Sequence, residues 1–103
     1  MIDLLKRLFG IKTVDFKKLV EEGAMIIDVR TPQEFKSGNV KGSVNIPVDQ
    51  IPAKAKQIAA KNKVVIAYCR SGMRSKLATN TLKGMGVEAY NGGSLHAMQS
   101  RLA

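Results

Sequence analysis

Cys69 is the only cysteine in the chain, and its neighbours are residue types that make a thiol reactive. A short apolar run, Val64-Val65-Ile66-Ala67-Tyr68, leads into it. Arg70, Ser71, Gly72, Met73, Arg74 and Ser75 follow it. A β-branched run of that length predicts a parallel strand covered on both faces, and Ser75 to Lys83 predicts a helix. The cysteine therefore falls at a strand-to-helix turn. There, successive backbone N–H groups, the positive end of the helix and the two arginines favour an anion. Cations and helix N-termini favour the charged form of cysteine, and the thiolate is the nucleophile. An isolated free cysteine is more often a buried packing residue, but the flanking Arg-Ser-Gly argues for chemistry here.

The elements that must position this turn alternate along the chain. A short edge strand is expected over 11–14, then a helix over 15–22 with Phe16, Leu19 and Val20 inward and Gly23 ending it. A strand over 24–29 follows. Thr31-Pro32-Gln33-Glu34 combines a cap, a proline at the first helical position and the glutamate of a capping box, opening a helix that stops near Gly38. Val44 to Ile46 predicts a strand stopped by Pro47, and 51–61 a helix with Ile51, Ala55 and Ile58 inward. After the turn, Leu77, Ala78, Thr81 and Leu82 are the expected inward stripe of the next helix. A last strand over 87–90 and a helix over 94–102 complete the alternation. This is the pattern of a one-domain, mainly parallel α/β sheet of about five short strands with helices on both faces.

At 103 residues the chain suffices for one core, and 45% hydrophobic with 24% charged residues is a globular composition. No segment is long and apolar enough to span a bilayer as a helix. One cysteine excludes an internal disulfide, a CxxC pair and a multi-cysteine zinc site, and suits a reducing, cytoplasmic setting. A net charge of +9 attracts anions: small oxyanions, acidic proteins or nucleic acid. The lysines are scattered and lack interleaved aromatics, so specific nucleic-acid binding is not expected. Residues 1–10 place Ile2, Leu4, Leu5, Leu8 and Phe9 beside Asp3, Lys6 and Arg7, a short amphipathic segment without the features of an export signal. It is expected to pack on the domain or join a dimer rather than touch a membrane. The domain proper is expected over 11–103.

Cys69-Arg70-Ser71-Gly72-Met73-Arg74-Ser75 resembles the active-site loop of the rhodanese family of sulfurtransferases. Upstream, Ile27-Asp28-Val29-Arg30-Thr31-Pro32-Gln33-Glu34-Phe35 and Gly38-Asn39-Val40-Lys41-Gly42-Ser43-Val44-Asn45-Ile46-Pro47 are similar to that family's second signature. Downstream, Val87 to Tyr90 with Asn91-Gly92-Gly93 resembles its last strand and glycine pair. The resemblance implies a single rhodanese-like domain in which Cys69 takes sulfane sulfur from a donor such as thiosulfate. It would hold that sulfur as a persulfide and pass it to cyanide or a thiol. Arg70, Ser71, Gly72, Met73, Arg74 and Ser75 would bind the anionic donor, with an acidic sulfur-acceptor protein as a further candidate partner. Asp28, Arg30 and Glu34 would brace the loop or satisfy one another. Neither a cofactor nor a metal is expected. Asn39, Ser43 and Ala97 depart from the family pattern, which usually has histidine, alanine and tryptophan there. His96, the only histidine, reads as an exposed helix residue.

Two other classes compete. A cysteine phosphatase or arsenate reductase also cradles a cysteine, but with its arginine one position further from the cysteine than Arg74 is from Cys69. A catalytically idle interaction or sulfur-carrier module is the other alternative, although idle rhodanese domains usually lose the cysteine.

Overall fold

The computed structural model describes residues 14–103. The amphipathic segment over 1–10 lies outside the described residues, as does the expected edge strand over 11–14 apart from Val14, which is in no element. In chain order the elements are α1 (Phe16–Glu21), β1 (Met25–Asp28), α2 (Pro32–Ser37) and β2 (Val44–Asn45). A 3-10 turn (Val48–Gln50), α3 (Ile51–Ala60), β3 (Val65–Cys69), α4 (Met73–Gly84), β4 (Ala89–Ser94) and α5 (Leu95–Leu102) follow. The four strands form one parallel sheet in the order β2-β1-β3-β4. The expected α/β domain is thus present, with β3 and its cysteine at the centre.

All five residues of β3 have no exposed surface, and they divide by the period of two. Val65, Ala67 and Cys69 point into a core shared with Ile51, Ala55 and Ile58 of α3 and Ala78 and Leu82 of α4. Ile66 and Tyr68 point into a second core with Phe16 of α1 and Met98 of α5. One strand therefore holds both helix layers.

Helix ends follow the sequence closely. Asp15 accepts from the Lys18 N–H, Thr31 and Glu34 form the capping box, and Ser94 accepts from the Ala97 N–H. The exceptions are α3, whose N-cap Gln50 makes no capping bond, and α4, whose N-cap is Gly72 with no capping side chain. Its first turn is therefore open.

Two features differ from expectation. In α4 the buried residues are Ser75, Ala78, Thr79 and Leu82, whereas Leu77 is 65% exposed and Thr81 half-buried. The helix is rolled so that two hydroxyls face inward: Thr79 donates to the Ser75 carbonyl, and Ser75 is held beneath the turn. Further, β4 runs through Asn91-Gly92-Gly93 instead of stopping at Tyr90. Its register with β3 slips between Ala67 and Tyr68, so that Tyr68 pairs with Gly93. Gly92 is the extra residue of this bulge. A Cβ there would lie 2.5 Å from the Met98 sulfur and 3.0 Å from an Ile66 methyl, so any larger residue would have to push the buried Met98 aside.

Tyr68 carries the chain after α2 across the sheet. Its hydroxyl accepts from the Val40 N–H at 2.9 Å and lies 3.1 Å from Ser43 Oγ. Because Ser43 spends its own proton on the Val40 carbonyl, Tyr68 is the donor in that second bond. The departure at Ser43 thus has a partner. Tyr68→Phe would leave the buried Val40 N–H unpaired, at a cost of about 1–3 kcal/mol. Thermal unfolding should show a Tm lower by about 5–15 °C; an unchanged Tm would mean that the hydroxyl contributes nothing.

Candidate active site

Cys69 ends β3 and Gly72 caps α4, so only Arg70 and Ser71 lie between them. The turn closes because Gly72 takes φ +92°, a left-handed value that side chains disfavour. In consequence its N–H points back at the cysteine: Gly72 N lies 2.9 Å from Cys69 Sγ, and Ser75 Oγ lies 3.4 Å from it. Burial pushes the thiol up, but the Ser75 hydroxyl and the N–H groups of Ser75, Ser71 and Gly72 outweigh it and hold Cys69 below its ordinary value. The sulfur itself has no exposed surface.

Ser75 is in turn placed by Asn91. Ser75 Oγ is 2.6 Å from Asn91 Oδ1, and Asn91 Nδ2 donates to the Gly72 carbonyl at 3.0 Å. The Gly93 N–H also donates to Asn91 Oδ1, at 2.9 Å, which fixes the amide's orientation. A hydroxyl has one proton. Directed at Asn91, it leaves a lone pair toward the thiol; turned to Sγ, it stabilises a thiolate, while Gly93 keeps Asn91 satisfied. Sequence reasoning placed Asn91 only in a strand-end motif, since its partners Gly72 and Ser75 are distant in the chain.

Four charged side chains stand around the turn, and they pair two by two. Asp28 and Arg30 are both buried and bond each other through Arg30 Nε and Nη2, the shortest contact being 2.7 Å. Arg30 also donates to the Gly38 carbonyl. Glu34 meets Arg74 in a fork of 2.9 and 3.1 Å, joining α2 to the first turn of α4. The Arg74 guanidinium and the Thr31 N–H pull the Glu34 carboxyl down to about 2. Glu34, rather than Asp28 or Arg30, is thus the residue that ties the loop down. Arg70 is exposed and enters neither ion pair. Met73 is 75% exposed at the rim, and Ser71 is exposed beside it.

Beside Arg70 opens a cleft of about 480 Å³ whose walls include Arg30, Glu34, Ser94 and His96. His96 is exposed, as expected, but it does share this cleft. Asn39 donates to the Phe35 carbonyl at the end of α2, away from Cys69. Among the described residues no group of His, Cys, Asp and Glu has the arrangement of a metal site, and no helix is long and apolar enough to cross a membrane.

The rhodanese-like domain model matches residues 12–96 of the chain. YqhL of Bacillus subtilis is 41% identical over 69 residues, covering 66% of this chain and 54% of YqhL. The thiosulfate sulfurtransferase PspE of Escherichia coli is 35% identical over 71 residues, covering 67% of this chain and 68% of PspE. A solved E. coli rhodanese with anions superposes with a TM-score of 0.66 at 32% identity, covering 73% of this chain and 91% of that one.

Two outcomes follow from this geometry. In Ser75→Ala the thiolate loses a donor, so the midpoint of its ultraviolet absorbance against pH should rise by about one unit; an unmoved midpoint would leave the backbone N–H groups as the whole cradle. The Glu34 carboxyl, being depressed in the folded chain, adds stability above its ordinary value of 4.5 and loses it as pH falls toward 2. The Tm advantage of the native chain over Glu34→Gln should therefore be full at neutral pH and close between those limits. An advantage that grew in acid would refute the assignment.

Proposed function

The chain belongs to the rhodanese-like domain family, and from that premise we propose that it is a sulfurtransferase working through a Cys69 persulfide, with thiosulfate or a related anion as donor. The observation that carries this reading is a single cysteine held below its ordinary pKa by N–H and hydroxyl donors at an uncapped helix N-terminus. The solved E. coli rhodanese with anions supports an anionic donor. The domain on this reading is 11–103.

The Cys69 thiolate attacks the outer sulfur of thiosulfate, the S–S bond of the donor breaks, and its electron pair leaves with sulfite. A persulfide anion remains on Cys69. Its charge takes over the donors that held the thiolate, so the intermediate needs no new group. A thiolate or cyanide then attacks the outer sulfur and Cys69 leaves as thiolate, with no net oxidation of the protein. Because Sγ is wholly covered, the site must open for the donor to reach it. Among the described residues Arg70 enters no ion pair and is placed to meet an incoming anion, whereas Arg74 holds the cradle through Glu34. No cofactor or metal takes part. Since the persulfide has no second cysteine to attack it, the reading fits a reducing, cytoplasmic setting with an external acceptor.

Incubation with thiosulfate and removal of small molecules should raise the intact mass by one sulfur atom, and cyanide should restore the original mass. Cys69→Ser should show neither change while keeping its Tm. Arg70→Ala should mainly raise KM for thiosulfate, by about tenfold, as the loss of one charge-assisted contact predicts. A native chain that is folded, reduced and unchanged in mass would overturn the reading, and turnover of aryl phosphates would replace it with a phosphatase.

A further inference from the structure

Leu77, placed in the core by its spacing, stands out of the protein instead. Among the described residues, Met73 at 75% and Leu77 at 65% are the most exposed large apolar side chains. They lie one helical turn apart on α4, so they form one stripe that starts at the rim of the cysteine loop. Scattered exposed apolar residues need no explanation, but a pair continuous with a reactive site does. The helices around them carry charge of one sign. Neither α3 nor α4 contains an aspartate or glutamate, and together they carry Lys54, Lys56, Lys76 and Lys83, while the charge of Arg74 is matched by Glu34 of α2. The 3-10 turn adds Asp49, whereas Glu21 belongs to α1 in the opposite layer.

We propose that the Met73–Leu77 face of α4, with Arg70 and Lys76 beside it, docks an acidic protein segment that bears an apolar side chain and a thiol and takes the sulfur from Cys69. The proposal rests on the sulfurtransferase reading above and names the acceptor of that same site. Cationic helices select acidic character. The apolar stripe selects an apolar anchor, which thiosulfate and cyanide lack. Complete burial of Sγ selects a thin segment over a broad surface. The stripe carries no aromatic on which bases would stack, and two residues are too few to enter a lipid interface. In the transfer, the segment's thiolate attacks the outer sulfur of the Cys69 persulfide. The bond between Sγ and that sulfur breaks with its electron pair returning to Sγ, and the segment leaves as a persulfide.

The test loads the full chain with thiosulfate and offers it two synthetic single-cysteine peptides of equal length. One contains aspartate, glutamate and two leucines; in the other, serine and glutamine replace the acids. At subsaturating concentration the acidic peptide should take sulfur about tenfold faster, a preference that salt erodes. Leu77→Ser should slow transfer to both peptides about tenfold, and Lys76→Glu should remove most of the acidic peptide's advantage, each leaving discharge by cyanide and the Tm unchanged. Binding of the acidic peptide with serine in place of its cysteine, followed by fluorescence anisotropy, reads docking without sulfur chemistry. A chain that docks this peptide but forms no sulfur adduct would fail the sulfurtransferase reading alone. Equal rates from the two peptides would overturn the docking surface. So would a Tm drop of several degrees in Leu77→Ser, which would show that other parts of the chain cover it, or a concentration-dependent dimer lost in that variant. Binding of a single-stranded oligonucleotide as tight as that of the peptide, and indifferent to Leu77→Ser, would reduce the face to a general polyanion surface.

Discussion

Everything in this molecule depends on the complete burial of β3. A strand with both faces covered and both edges paired cannot shift without breaking two cores and two ladders, so its last residue is fixed in space. Parallel pairing sends all four strands in one direction, so the turn after β3 emerges at the C-terminal edge, where open α/β sheets form their crevices. A cysteine at that residue inherits the rigidity of the sheet. The helix that follows it, left uncapped, turns unsatisfied N–H groups toward the sulfur. The lowered pKa is thus a by-product of packing: the same burial that would raise the thiol's pKa holds the donors that lower it.

Charge is distributed so that the cradle stays closed without neutralising its mouth. The Asp28–Arg30 pair is buried and bound to the Gly38 carbonyl, which makes it a strut between β1 and the end of α2. Breaking such a pair leaves an unpaired buried charge, so its two members stand or fall together. The Glu34–Arg74 fork is more exposed and ties α2 to α4. Since an exposed pair contributes little to stability by itself, its value lies in geometry: it fixes the first turn of α4, and with it Ser75 and the N–H groups under the sulfur. Among the described residues Arg70 is exposed and enters neither pair.

The order of strands and helices was legible because local signals agreed with global packing. The capping box at Thr31 and Glu34, the proline after it, the β-branched run before Cys69 and the inward Ile51, Ala55 and Ile58 all point one way. The roll of α4 was not legible. The stripes 77, 78, 81, 82 and 75, 78, 79, 82 both have helical spacing, and apolarity favours the first. What decides is Ser75, which must lie beneath Cys69 and against Asn91, a demand that acts across the sheet. Satisfied hydroxyls make the polar stripe affordable inside, and Leu77 is turned out as a result. Asn91 escaped for the same reason: its three partners are assembled by the β4 bulge, which no local pattern announces.

The commitment of Arg74 also bears on which chemistry the cradle can perform. Phosphoryl or arsenate chemistry places a tetrahedral oxyanion above the sulfur and needs a guanidinium fork to grip its oxygens as charge builds. In this loop the Arg74 fork is already engaged, its Nη1 and Nη2 facing the two oxygens of Glu34. Releasing it would leave the Glu34 carboxyl with the Thr31 N–H and hydroxyl alone and free the first turn of α4. A sulfur atom makes no such demand. It is one atom wide, it accepts from N–H groups, and that of Gly72 already bonds the cysteine sulfur. The same ion pair that steadies the loop therefore argues against the rival reaction and for a cradle that stores sulfur.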